Sequence, residues 1–131
     1  MPRKIRLFIP ALLYYVFIFI LSSQPRVHLP ISFPLIDKVL HLMLYTGFGI
    51  CLAFGLTRLE GRGAGHKAGL MAGLGILLGG LDEIHQMFVP GRSADVLDAA
   101  VDVLGLFVGV GVDILAQAGD AAIAEEFVAP L

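Results

Sequence analysis

Tryptophan is absent from these 131 residues, and cysteine occurs once, at Cys51. One thiol excludes an internal disulfide, and its place within an apolar segment leaves the redox compartment open. Without tryptophan, an interfacial aromatic belt has to be drawn from Tyr14, Tyr15, Tyr45 and the phenylalanines. Charge is also scarce: 15% of residues are Asp, Glu, Lys or Arg, and the formal net charge is -2. Soluble domains carry about 25% charged residues. So weak a charge balance gives no reason to expect a nucleic-acid partner. No Ser or Cys nucleophile motif is present, which counts against acyl transfer. Internal repeats and low-complexity segments are missing as well.

What the chain does hold is apolar sequence, 57% of residues, gathered into blocks at 5–21, 36–56, 68–88 and 96–116. The last three approach the ~20 residues that carry a helix across ~30 Å of hydrocarbon. Short connections make antiparallel neighbours the default. The expected fold is therefore all-α, an integral-membrane four-helix bundle of a single domain, followed by a short tail at 117–131 that is weakly helical or disordered. The first block is short and is followed by Ser22-Ser23, so a cleaved signal peptide competes with a retained helix. Pro30 and Pro34 lead into the second block, and the third ends before Pro90-Gly91. Arg3, Lys4 and Arg6 precede the first block, and Arg58, Arg62 and Lys67 separate the second from the third. The other side carries Arg26, Lys38 and Arg92. The positive-inside rule then predicts that both termini are cytoplasmic. Gly69 and Gly73, Gly75 and Gly79, and Gly105 and Gly109 each stand four apart, the spacing that lets membrane helices approach closely.

Polar residues within the blocks are clustered. Asp37, His41 and Tyr45 share a face at the start of the second helix, beside Lys38. Asp82, Glu83, His85 and Gln86 end the third helix. The turn Val89-Pro90-Gly91-Arg92-Ser93 leads to Asp95, Asp98 and Asp102 on the fourth. All three stretches fall at the same, outer face, with Asp102 about 10 Å deeper than Asp95 by helical rise. Part of this has a structural explanation. Asp95 is a good N-cap with Asp98 in a capping-box position, and Asp37 suits a helix start. Arg92 is able to neutralise Glu83 or Asp82, and His41 and Tyr45 suit an interface. Capping does not explain Asp82, Glu83 and Gln86 at a helix C-terminus, where the dipole disfavours acids. It does not explain Asp102 inside a span.

Six acids in this cluster face two fixed bases. The excess is relieved by protonation of a carboxyl, of His41 or of His85, or by a bound cation. The run DEIHQ has no zinc-helix spacing, so neither a metal nor another cofactor is expected. A second option is an anion site built from Arg92, Lys38 and the N-terminus of the fourth helix.

The segments SSQP (22–25), DKVLHLMLY (37–45) and DEIHQMFVPGRSADVLD (82–98), with the small-residue helix after them, resemble the VanZ-like family over roughly residues 22–112. The resemblance implies a small polytopic protein of the bacterial cytoplasmic membrane. Founding members of that family are linked to low-level resistance to teicoplanin, a glycopeptide that binds cell-wall precursors. The family pattern singles out Asp37, Lys38, His41, Tyr45, Glu83, Gln86, Pro90, Gly91, Arg92 and Asp98. It has Asn where this chain has Asp102, and an ionised Asp accepts hydrogen bonds but does not donate them.

Three functions follow. The first is a ligand site for a lipid-linked or cell-wall molecule, formed by Asp37, Lys38, His41, Tyr45, Glu83, Gln86, Arg92, Asp95, Asp98 and Asp102. The second is a hydrolase or transferase acting on a lipid-phosphate substrate through Asp82, Glu83 and His41, with His85 a further candidate acid or base. The third is an ion-coupled transporter, suggested by acids within the membrane. The expected partner is membrane lipid, with no nucleic acid. The sequence is silent on oligomeric state.

Overall fold

A computed structural model of the chain describes residues 3–25, 35–59, 61 and 63–128. Arg26, Pro30, Pro34 and Arg62, which bear on the expected topology, lie outside the described residues. The described residues are helical, without strands. A single turn, α1 (Arg3–Arg6), leads into α2 (Ile9–Ser22), followed by α3 (Ile36–Thr57), α4 (Ala64–Gln86) and α5 (Val96–Val128). Pro10 lies in the first turn of α2, where its missing N–H has no helical partner to lose.

Three stretches are long and apolar enough to cross a membrane: Lys4–Ser22, Ile36–Thr57 and Val96–Glu125. The expectation of four such helices is met in length but not in apolarity. α4 has 23 residues, yet His66, Lys67, Asp82, Glu83 and His85 dilute it. Outward faces are nonetheless apolar on all four long helices. Leu12, Leu13 and Ile20 on α2, Met43 on α3, Ile76, Leu77 and Ile84 on α4, and Leu104 and Leu115 on α5 are exposed. Patches of that extent suit lipid better than water.

The core runs along the contact of α3 with α5, with Phe48, Leu52, Ala53, Leu56 and Leu106 buried. Glycine sets how closely these helices approach. A methyl at Gly105 would lie 2.7 Å from the Leu42 carbonyl, and one at Gly109 would run into the Thr46 carbonyl. Gly75 and Gly79 face α5, whereas a methyl placed on Gly69 or Gly73 would meet nothing within 4 Å. Of the three expected glycine pairs, two pack and Gly69/Gly73 does not. The reason is rotation: the first half of α4 turns that face outward. α5 also continues well past residue 116, where the sequence suggests a tail, and residues 117–125 of this extension are exposed.

Both ends of the bundle are built from named contacts. At one end Phe8 packs beside Gly55, and Lys67 Nζ donates to the Thr57 carbonyl at 3.1 Å. Arg58 Nη1 donates to the Phe54 carbonyl at 3.0 Å, completing the C-terminus of α3. The other end gathers the close of α2, the start of α3, the close of α4 and the start of α5.

Candidate functional site

The turn from α4 to α5 shapes this second end. Gly91 has φ 77°, a left-handed conformation that suits glycine. The reversal places Asp95 at the start of α5, where its Oδ1 accepts the Leu97 N–H at 2.8 Å. That is the expected N-cap. The expected capping box does not form. The Asp95 N–H donates to Glu83 Oε2 at 2.7 Å, reaching across from α4 rather than to Asp98. An acid at the C-terminus of α4 is thus placed by the N-terminus of α5, which resolves why it stands where its own helix dipole disfavours it. Asp37 is not an N-cap either: it is the second residue of α3, after Leu35 at φ 73°.

Lys38 bridges α3 to α5, with Nζ 2.6 Å from Asp95 Oδ2 and 2.8 Å from Asp98 Oδ1. The Lys38 ammonium, hydrogen-bonded to Asp95, holds that carboxyl below its ordinary range. These bonds engage Lys38, which the sequence offers to an anion site together with Arg92 and the N-terminus of α5. Lys38 is already matched to two carboxylates, and the Leu97 and Asp95 N–H groups are taken by Asp95 and Glu83. Arg92 retains more spare donors than Lys38, three against one. It does not neutralise Glu83 or Asp82; its Nε donates to the Gln24 carbonyl at 3.1 Å and its Nη1 to Gln86 Oε1 at 3.3 Å. Gln86 Nε2 passes the chain on to Asp82 Oδ2 at 3.1 Å.

Deeper in the bundle, His41 Nδ1 lies 2.8 Å from Asp102 Oδ1. With Nδ1 protonated the imidazole donates to Asp102, a bond an ionised carboxylate accepts. Asp102 is 0% exposed, and His41, Asp82 and Glu83 are also buried. One donor atom from each of His41, Asp82, Glu83 and Asp102 comes within 4.8 Å of the others. Sequence spacing does not reveal this set, because its members come from three helices. Glu83 Oε1, Asp102 Oδ2 and the Tyr45 hydroxyl are buried without a hydrogen-bond partner. Such groups are costly to bury unsatisfied.

A cavity of about 310 Å³ opens beside these groups. Ile18, Leu21, Leu40 and Leu44 line its apolar wall, while Asp37, His41, Tyr45, Asp82, Gln86 and Arg92 line its polar part. Asp95 and Asp98, named with them from sequence, stay outside the cavity in the Lys38 bridge. Ser22 and Gln24 also line this cavity, although the sequence does not single them out as site residues. Ser23 Oγ lies 2.9 Å from His85 Nε2, tying α2 to α4. Only the SSQP segment hints at that contribution.

The VanZ/LLP1 family model matches residues 7–117. The chain belongs to the VanZ/LLP1 family. With its apolar helices, it is a membrane protein of that family. The match covers α2 to α4 and α5 as far as Gln117, so every residue described around the cavity lies within the VanZ-like region. No curated protein and no solved structure matches the chain.

Proposed function

We propose that this VanZ-like protein is a multi-pass protein of a bacterial cytoplasmic membrane that binds a lipid-linked cell-wall ligand in the cavity described above. In this reading both termini are cytoplasmic and the Arg92 end faces outward. Basic residues support the orientation: Lys4, Arg6, Arg58 and Lys67 belong to the end opposite Arg92. The carrying observation is the two-sided lining of the cavity. Ile18, Leu21, Leu40 and Leu44 offer an apolar wall for a lipid chain. Arg92 uses two of its N–H groups on Gln24 and Gln86, and a guanidinium carries five. Three remain for a phosphate or other anionic head group. The link of founding VanZ proteins to teicoplanin, which binds cell-wall precursors, fits a ligand of that kind.

Native mass spectrometry of the detergent-purified protein tests this directly. The wild type is expected to retain an anionic lipid mass that Arg92→Ala loses. Equal retention by both proteins would sink the reading.

A second reading has its own observation. Asp82, Glu83 and His41, the acid and base candidates, converge in the buried set, and two of them line the cavity. A hydrolase or transferase acting on a lipid phosphate would use such groups for proton transfer. Turnover of a polyprenyl phosphate substrate that Glu83→Gln abolishes would favour it over binding alone.

A further inference from the structure

The strongest unexplained feature is the charge of the deep cluster. Asp82, Glu83 and Asp102 are 3%, 5% and 0% exposed. Among the described residues no Lys or Arg side chain pairs with any of them. Lys38 is engaged by Asp95 and Asp98, and Arg92 by Gln24 and Gln86. His41 is the one cationic candidate in contact. Up to three negative charges therefore face one imidazole, in a setting where an unpaired buried charge costs several kcal/mol. Hydrogen bonds do not resolve the excess: Asp82 Oδ2 has Gln86 and Glu83 Oε2 has the Asp95 N–H, but Glu83 Oε1 and Asp102 Oδ2 have none.

We propose that His41, Asp82, Glu83 and Asp102 form a binding site for one divalent transition-metal cation, Mn²⁺ or Zn²⁺. The geometry supports this. Four donors already lie within 4.8 Å of one another, and donors around one such ion, at about 2.0–2.2 Å from it, stand roughly 3–4.4 Å apart. Closing that gap takes small side-chain rotations. The donor set selects the ion class. Carboxylates alone would suit Mg²⁺ or Ca²⁺, while the imidazole nitrogen shifts the preference to first-row metals. The two orphaned oxygens belong to two of the four residues, so a cation satisfies unmet acceptors and offsets the charge together. Outer contacts hold the ligands in place: Gln86 on Asp82 and the Asp95 N–H on Glu83 restrict those carboxylates as outer-shell partners do at metal sites. Asp82 and His41 also line the cavity, which gives the ion a route in.

The site stands apart from the lipid reading, because cation binding is measured without lipid. It also bears on that reading: a dication beneath the cavity makes an acid-lined pocket hospitable to an anionic head group.

The test uses tag-free, chelator-treated protein in detergent, titrated with Mn²⁺ by electron paramagnetic resonance and with Zn²⁺ by calorimetry. Saturable binding of one equivalent is expected, at least tenfold weaker in Glu83→Gln and in Asp82→Asn, with both variants checked for helical content. Asp113→Asn, which alters the buried acid at the opposite end, should bind like the wild type. The Asp82→Asn variant keeps a partner for Gln86 and guards against a folding failure of Glu83→Gln. Absence of saturable binding by the wild type, or unchanged affinity in both cluster variants, overturns the proposal.

Discussion

Each end of the bundle buries an acid on α5, and the two are treated differently. Asp113, beside Thr57 and Gln117, is 9% exposed, and its Oδ2 accepts from the Gln117 amide, while the Thr57 hydroxyl gives its one proton to the Ala53 carbonyl at 2.7 Å. Gln117 Nε2 also donates to the Thr57 hydroxyl at 3.2 Å, so neutral groups tie α5 to α3 at this end. Asp102, near the α4–α5 turn, is fully enclosed, is bonded to His41 through one oxygen only, and has Asp82 and Glu83 beside it. One end shows what a structural polar contact needs in this fold: a carboxylate with neutral donors. The other exceeds that need. Between them the α3–α5 contact is made by Gly49, Gly105, Leu106 and Gly109, with the Thr46 hydroxyl bonded to its own helix. Among the described residues, this α3–α5 contact offers the transporter reading no polar path between the two ends.

The contrast is sharpest if one side of each contact is removed. His41→Leu leaves Asp102 enclosed without its partner, and breaking a buried pair in this way costs about 3–5 kcal/mol. Thr57→Val at the opposite end should cost about 0.6 kcal/mol, the average for hydrogen bonds between membrane helices. Denaturant titration in mixed micelles measures both, and equal losses would break the distinction drawn above. An effect between these two is expected at one of the glycines. A methyl at Gly79 would lie 3.2 Å from Asp102 Cβ and 3.3 Å from its Oδ2, so Gly79→Ala should destabilise by about 1 kcal/mol. Gly73→Ala, with open space around it, should leave the midpoint unchanged or slightly raised. Smallest is the pH response of Asp95. Its folded pKa lies below the unfolded value. The contribution is therefore present above the unfolded value and lost as pH falls through the folded one. Melting curves from pH 6 to 3 should show an acid-side loss that Asp95→Asn reduces.

Whether a feature is legible in the sequence depends on whether it is local. Helix placement for α3 and α4 follows from block length, and the turn from Pro90-Gly91. The cap at Asp95 is likewise a contact two residues long. Partnerships between helices are not legible, because a 3.6-residue period gives the face of a helix but not its rotation against a neighbour. Thus the sequence offers Lys38 to an anion, whereas the fold matches it to Asp95 and Asp98. Spacing groups Glu83 with Gln86 on α4, although one of its oxygens serves the start of α5. Gly69 and Gly73 have the right spacing on the wrong side. Family resemblance draws attention to His41 and Glu83, but their meeting with Asp82 and Asp102 needs the fold.

Our central claim is that the end with unmet charge is a ligand site and the satisfied end is structural. Photocrosslinking with a diazirine-bearing polyprenyl phosphate, read by peptide mapping, tests it most directly. The account predicts labelling concentrated on α2 around Ile18 and Leu21 and on α3 around Leu40 and Leu44, reduced in Arg92→Ala and unaffected in Asp113→Asn. Labelling spread evenly over the outward apolar faces, and indifferent to Arg92, would contradict it.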